Sequence, residues 1–188
     1  MMRPSRSSSG RNVAPANPDL ASRIGRAALL EGDFVLSSGR RSSYYVDKYL
    51  FSTEPDLLRD VAAALSRELP AGVERLAGVE LGAVPLVVAT ALVTGLPYVI
   101  VRKSVKGYGR GRGIEGNLER GERVALIEDV VTTGTQAVQA ARSLVGAGVE
   151  VVTILAVLDR REAPETHVEE FPFKALLRME ELRVSNED

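Results

Sequence analysis

The chain contains no cysteine. That excludes disulfides and cysteine-ligated zinc, and it suits a reducing cytoplasm, where the protein is expected to act. A single histidine, His167, stands in a polar stretch, so one copy cannot assemble a histidine cluster or a histidine-based triad. No apolar run reaches the length of a membrane span. The formal net charge is only -1, which argues against a general nucleic-acid or membrane surface; positive charge matters only where it is locally concentrated. What remains is a hydrophobic content of 45% over 188 residues, enough for one domain with a real core.

The most informative stretch is VALIEDVVTTGT, Val124 to Thr135. Val124 to Ile127 is an unbroken apolar run, as in a strand buried on both faces of a parallel sheet. Glu128 and Asp129 are expected where that strand ends. After Val130 and Val131 come Thr132, Thr133, Gly134 and Thr135, then a helix-favouring segment from Gln136 to Val145. Backbone N–H groups at a helix start are unpaired and the helix dipole is positive there, so this loop can hold a phosphate without a lysine. The two carboxylates would lie about one sugar away, placed for ribose hydroxyls or for water on a magnesium ion.

Elsewhere strands and helices alternate. A helix is expected from Asp19 through Ala28, ended by Gly32, then strands at Phe34–Leu36 and Tyr44–Asp47 around a turn at Ser37–Gly39. A helix spans Pro55–Leu69, a strand Val73–Val79, and a helix Leu86–Val93 with Pro85 ahead of it. Strands at Pro97–Val101, Val149–Leu158 and Phe171–Leu177 complete the pattern. The implied fold is α/β: a central parallel sheet flanked by helices, with a small N-terminal hood over about 19–50 and the core over 55–182. Residues 1–18 read as a flexible extension and 183–188 as a short charged tail. Between Arg102 and Gly116 five cations, Arg102, Lys103, Lys106, Arg110 and Arg112, precede the first acid among several glycines. Such a segment reads as a basic flap that orders over an anion. Its GxGxxG spelling, Gly111 to Gly116, neither follows a strand directly nor opens a helix, so it is not read as a dinucleotide fingerprint.

These motifs resemble those of the type I phosphoribosyltransferases, whose phosphoribosyl diphosphate (PRPP) motif matches the central stretch in residue type, order and spacing. The hood sequence SSGRRSSYY, Ser37 to Tyr45, narrows the resemblance to the orotate phosphoribosyltransferase family. That resemblance implies PRPP contacts from Arg102, Lys103, Lys106 and Tyr108, from Glu128 through Gln136 (Glu128, Asp129, Val130, Val131, Thr132, Thr133, Gly134, Thr135, Gln136), and from Leu81 and Gly82 in the pyrophosphate loop. It implies orotate contacts from Tyr45, Val46, Thr132 and Arg160, the last a guanidinium fork for a planar carboxylate. Catalysis would rest on Lys103, Lys106, Glu128 and Asp129. The resemblance also implies a non-proline cis peptide near Glu80-Leu81, Mg2+ held through PRPP and water near Glu128 and Asp129 rather than by a protein cage, and a homodimer sharing the flap.

Two cations of some relatives are missing here. Ser37 and Gly82 stand where those relatives carry lysine, and Arg40 or Arg41 would have to cover the first gap. The implied reaction converts orotate and PRPP to orotidine 5'-monophosphate and pyrophosphate in pyrimidine nucleotide synthesis, with neither a nucleic-acid nor a membrane partner. Two alternatives stand beside it: the same chemistry on another base, which the hood motif and Arg160 disfavour, and a PRPP-sensing regulator, which the intact flap disfavours.

Overall fold

The strand that begins with the apolar run, β6 (Arg123–Val131), lies at the centre of a seven-stranded sheet. In this computed structural model residues 18–35, 39, 41–103, 113–163 and 165–184 are described. The expected extension up to residue 17, Ser37, Arg40 and the flap residues Lys106, Tyr108, Arg110 and Arg112 lie outside them. The sheet uses β3 (Arg75–Val79), β4 (Tyr98–Val101), β5 (Ile114–Glu115), β6, β7 (Glu150–Asp159), β8 (His167–Val168) and β9 (Phe171–Arg178) in the order β5-β4-β3-β6-β7-β9-β8. Its five central strands run parallel, and the two-residue edges β5 and β8 pair antiparallel.

Strand alternation sends successive β6 side chains to opposite faces. Ala125 and Ile127 join one apolar core with α1 (Pro18–Ala28), α3 (Pro55–Glu68) and α4 (Val84–Thr94), while Val124 and Leu126 join the other with α5 (Thr135–Gly146). Both faces of β6 are thus dry, which explains why the strand needs four apolar residues in succession rather than an alternating pattern. The expected α/β sheet with helices on both faces is what the chain forms.

The hood is a hairpin of β1 (Leu29–Val35) and β2 (Arg41–Val46). It corrects the expected boundary, because α1 ends at Ala28 and Gly32 falls inside β1. The pairing register shifts between Glu31 and Phe34, so Gly32 and Asp33 occupy an irregularity in the strand instead of stopping a helix. A short helix, α2 (Lys48–Ser52), follows; the Asp47 carboxylate accepts the Tyr49 N–H at 3.0 Å, and Phe51 is fully buried. The chain's end also differs from expectation. Met179–Val184 forms a helix, α6, that the sequence pattern does not include and that runs into the expected 183–188 tail, because Leu182 has an apolar slot in the core shared with α1.

Candidate active site

Contrary to expectation, β6 does not stop at its acids. It runs on to Val131 because Val130 and Val131 pair with Leu158 and Asp159 of the long strand β7. Glu128 and Asp129 are therefore buried strand residues, 5% and 3% exposed. The loop beyond them enters α5 through Gly134, which has φ +84° and makes no side-chain cap to the helix. Thr133 and Thr135 share a 3.0 Å contact between their hydroxyls. Val168 of β8 packs behind Gly134, and Arg142 of α5 pairs with Glu169 and Glu170 just beyond it, bracing the loop from the far side.

A cavity of about 580 Å³ opens over this loop, lined by Val130, Val131, Thr132, Thr133, Gly134, Thr135 and Gln136 together with Glu128, Lys103 and Lys48. Its size suits a sugar phosphate. The expected phosphate loop, one acid and one flap lysine are thus brought together. The other acid, Asp129, faces the pyrophosphate loop. Its Oδ1 accepts the Val130 N–H at 2.6 Å, and its Oδ2 lies 2.7 Å from Lys48 Nζ. That ion pair is close but off the hydrogen-bond direction, so Oδ2 has no aligned donor. Burial works to lower the Lys48 pKa, but the Asp129 carboxylate outweighs it and holds the ammonium above its ordinary value.

The pyrophosphate loop has the expected cis peptide at Glu80-Leu81, and Pro85 sits in the first turn of α4. Arg102 does not line the cavity. Its guanidinium lies 3.2 Å from Glu115 and 3.7 Å from Glu80, and the Lys103 N–H donates to Glu80 at 2.7 Å. The base of the flap is therefore fastened to the pyrophosphate loop through Glu80, a role that no local pattern signals. Arg41 is engaged with Asp33.

Of the residues expected at the base, Tyr45 is 42% exposed with its ring 5.6 Å from that of Phe34, whereas the Val46 side chain is buried in the core. The Arg160 N–H donates to the Val131 carbonyl at 2.8 Å, which fixes the segment after β7 beside the phosphate loop. Its neighbour Arg161 carries the structural role: it pairs with Asp159, donates to the carbonyls of Glu165 and His167, and lies over the Phe173 ring at 4.2 Å. Arg160 makes no ion pair among the described residues. The sequence reading missed Lys48; it follows the hood tyrosines closely, but nothing local shows that its ammonium reaches an acid 81 positions on.

Burial, with Asp129 beside it, pushes the Glu128 carboxyl up to about 8, against a smaller pull from Lys103 and Lys48. The folded protein therefore keeps this proton where the unfolded chain has lost it. The resulting stability is fully present below the unfolded value near 4.5 and is lost as pH rises through about 8. The melting temperature should fall by about 5 to 10 °C between pH 6 and pH 9 from this group alone. Glu128→Gln should flatten that fall in thermal melts; an equally steep decline in the variant would assign it to other groups.

The acid pair also bears on a metal. Glu128 Oε2 and Asp129 Oδ2 are buried oxygens without hydrogen-bond partners, a hard donor set that fits Mg2+. Among the described residues no group of three or more acidic, histidine or cysteine side chains could hold a metal, so the remaining ligands would have to come from substrate and water. Among those residues, too, no helix is long and apolar enough to cross a membrane.

The same fold is found in known proteins. A scan against protein-family models finds none that matches. The orotate phosphoribosyltransferase of Haloquadratum walsbyi is 42% identical over 178 residues, covering 93% of this chain and 97% of that protein. The crystal structure of the Mycobacterium tuberculosis orotate phosphoribosyltransferase with Fe(III) dicitrate superposes with a TM-score of 0.76 at 34% identity, covering 89% of this chain and 99% of that one. The same enzyme in complex with PRPP gives 0.72 at 27% identity, covering 90% and 99%. Identity of this order along nearly the full length of both chains, over a shared fold, means that the chain belongs to the orotate phosphoribosyltransferase family.

Proposed function

We propose that this protein transfers the 5-phosphoribosyl group of PRPP to orotate, releasing pyrophosphate and forming orotidine 5'-monophosphate in pyrimidine nucleotide synthesis. The observation that carries the reading is the loop from Thr132 to Gln136, whose only side-chain contact to a helix-start amide among the described residues is the long 3.4 Å one from Thr135 N–H to the Thr133 hydroxyl, at the floor of a cavity that also holds Glu128 and Lys103. The 5'-phosphate rests on the amides at the start of α5 and the threonine hydroxyls. Glu128 and Asp129 accept the ribose hydroxyls and would hold Mg2+ when it is bound. The metal, when bound with PRPP, supplies positive charge to the diphosphate.

Bond breaking at the anomeric carbon leaves positive charge on the ribose and negative charge on the departing diphosphate. Asp129 sits beside the first, joined by Glu128 where a bound cation would displace the proton that burial keeps on it, and Lys103, with Lys106 and Tyr108 of the flap, faces the second. Anchoring the 5'-phosphate fixes the reacting carbon between them. Tyr45 walls the base, and Arg160, left unpaired by the Arg161 network, takes the orotate carboxylate as a fork. Orotate is already an anion at neutral pH, so no strong base is required.

The test is pyrophosphate release from PRPP with orotate, uracil, adenine and hypoxanthine in turn. Orotate alone should support turnover; release with a purine base would replace the reading, and PRPP binding without turnover on any base would make the protein a sensor.

The reading includes a homodimer whose flap serves the neighbouring subunit. Helix α4, VPLVVATALVT, is apolar on every side, yet its last turn leaves Leu92 83% and Val93 50% exposed. A helix without a polar face is suited to burial on both sides. Leu92→Glu should shift the protein toward monomer in sedimentation and lower its activity; an unchanged dimer would move the interface elsewhere.

A further inference from the structure

The pyrophosphate loop lacks a cation where some relatives carry lysine, yet a positive charge occupies that place in space. A Cβ built on Gly82 would lie 3.0 Å from Lys48 Nζ, so the ammonium sits beside the position from which a side chain of the loop would start. Lys48 arrives from the hood. It is the first residue of α2, whose start is capped by Asp47 and whose body is anchored by the buried Phe51. Its side chain is 31% exposed and lines the same cavity as Lys103 and the phosphate loop. An ammonium has three donors. Asp129 lies 2.7 Å from it and the Tyr49 ring 5.6 Å away, and the same side chain lines the cavity.

The geometry points to Lys48 as a diphosphate-binding residue, supplied by the hood in place of the cation that Gly82 does not carry. It rests on the PRPP reading above. Lys48 keeps hold of Asp129 while its remaining N–H groups meet the anionic oxygens of the diphosphate, so the acid that serves the ribose and the cation that serves the leaving group are set by one contact. Gly82 has no side chain because the ion pair fills that space.

Lys48→Met tests this by calorimetry with three ligands, each with Mg2+: PRPP, inorganic pyrophosphate and orotidine 5'-monophosphate. Losing a charged donor to the diphosphate should weaken PRPP and pyrophosphate by about 10- to 100-fold. Orotidine 5'-monophosphate, which carries the ribose and 5'-phosphate but no diphosphate, should change by less than about 3-fold. Lys48→Arg should regain most of the pyrophosphate affinity. Weakening of PRPP and orotidine 5'-monophosphate with pyrophosphate unchanged would mean that Lys48 acts only by positioning Asp129, and equal weakening of all three would mean a general disturbance of the site; either overturns the inference. Should Lys48→Met melt below the assay temperature, Lys48→Gln, which keeps a donor and drops the charge, is read by the same criteria. If the unaltered protein binds PRPP but turns over no base, the function reading fails while the pyrophosphate comparison still decides on Lys48.

Discussion

Gly82→Ala should lower kcat/KM for PRPP by about 100-fold or more while leaving the protein folded. The added Cβ would fall 1.5 Å from Asp129 Oδ2 and 2.7 Å from its Cγ, distances that no contact can tolerate. Asp129 cannot yield easily: its Oδ1 is tied to the Val130 N–H and the strand around it is buried on both faces. Either the carboxylate swings away from Lys48 or the loop from Glu80 to Ala83 lifts. Both outcomes displace a group that the proposed reaction uses, and a shift near 1 Å at such a group is enough for the stated loss. Leu81 beside it is 64% exposed, so the loop can move without opening the core, and melting should change by only a few degrees. Steady-state kinetics with thermal melts on the same samples check this. Near-native activity would mean that the position of Asp129 is immaterial.

Gly134→Ala should weaken PRPP and orotidine 5'-monophosphate alike, by about 10- to 100-fold, and leave inorganic pyrophosphate nearly unaffected. Two penalties coincide. The residue has φ +84°, where a side chain costs roughly 1 to 2 kcal/mol, and the new Cβ would meet Val168 Cγ1 at 2.2 Å. Val168 is held by the pairing of β8 with β9 and by the nearby anchoring of Glu169 and Glu170 to Arg142, so the loop rather than the valine must move. The loss should therefore follow the 5'-phosphate. Val168→Ala in the same chain should recover part of it, by removing the collision but not the backbone cost. Equal weakening of pyrophosphate would place that ligand's site on this loop and contradict the assignment of its two ends. The ligand pattern is the reverse of that expected for Lys48→Met, so the two variants together map which phosphate lies where.

Much of this was visible in the chain before folding. The run from Val124 to Thr135 announced a buried strand, paired acids and a helix start with spare amides, because each of those is a local matter of side-chain type and spacing. Pro85 and the apolar residues of α3 and α4 were legible for the same reason. What escaped was set by distant partners. Continuation of β6 past Glu128 depends on the length of β7, the helix at Met179 on a slot that α1 leaves for Leu182, and the partnership of Lys48 with Asp129 on the hood's approach to the sheet. Arg160 and Arg161 are alike in sequence and differ in what surrounds them: Asp159, two loop carbonyls and Phe173 claim the second, while the first makes no ion pair among the described residues.

The strand order has a consequence for how a substrate could be gripped at both ends. β3 and β6 lie side by side, but the chain leaves β3 for α4 on one face and leaves β6 for α5 on the other. The winding direction reverses between these neighbours, so their outgoing loops part from each other and leave a gap in the rim of the sheet. Roots one strand spacing apart, about 4.8 Å, make the two grips a single rigid caliper. A ligand that reaches from one loop to the other would span a distance that the sheet itself sets.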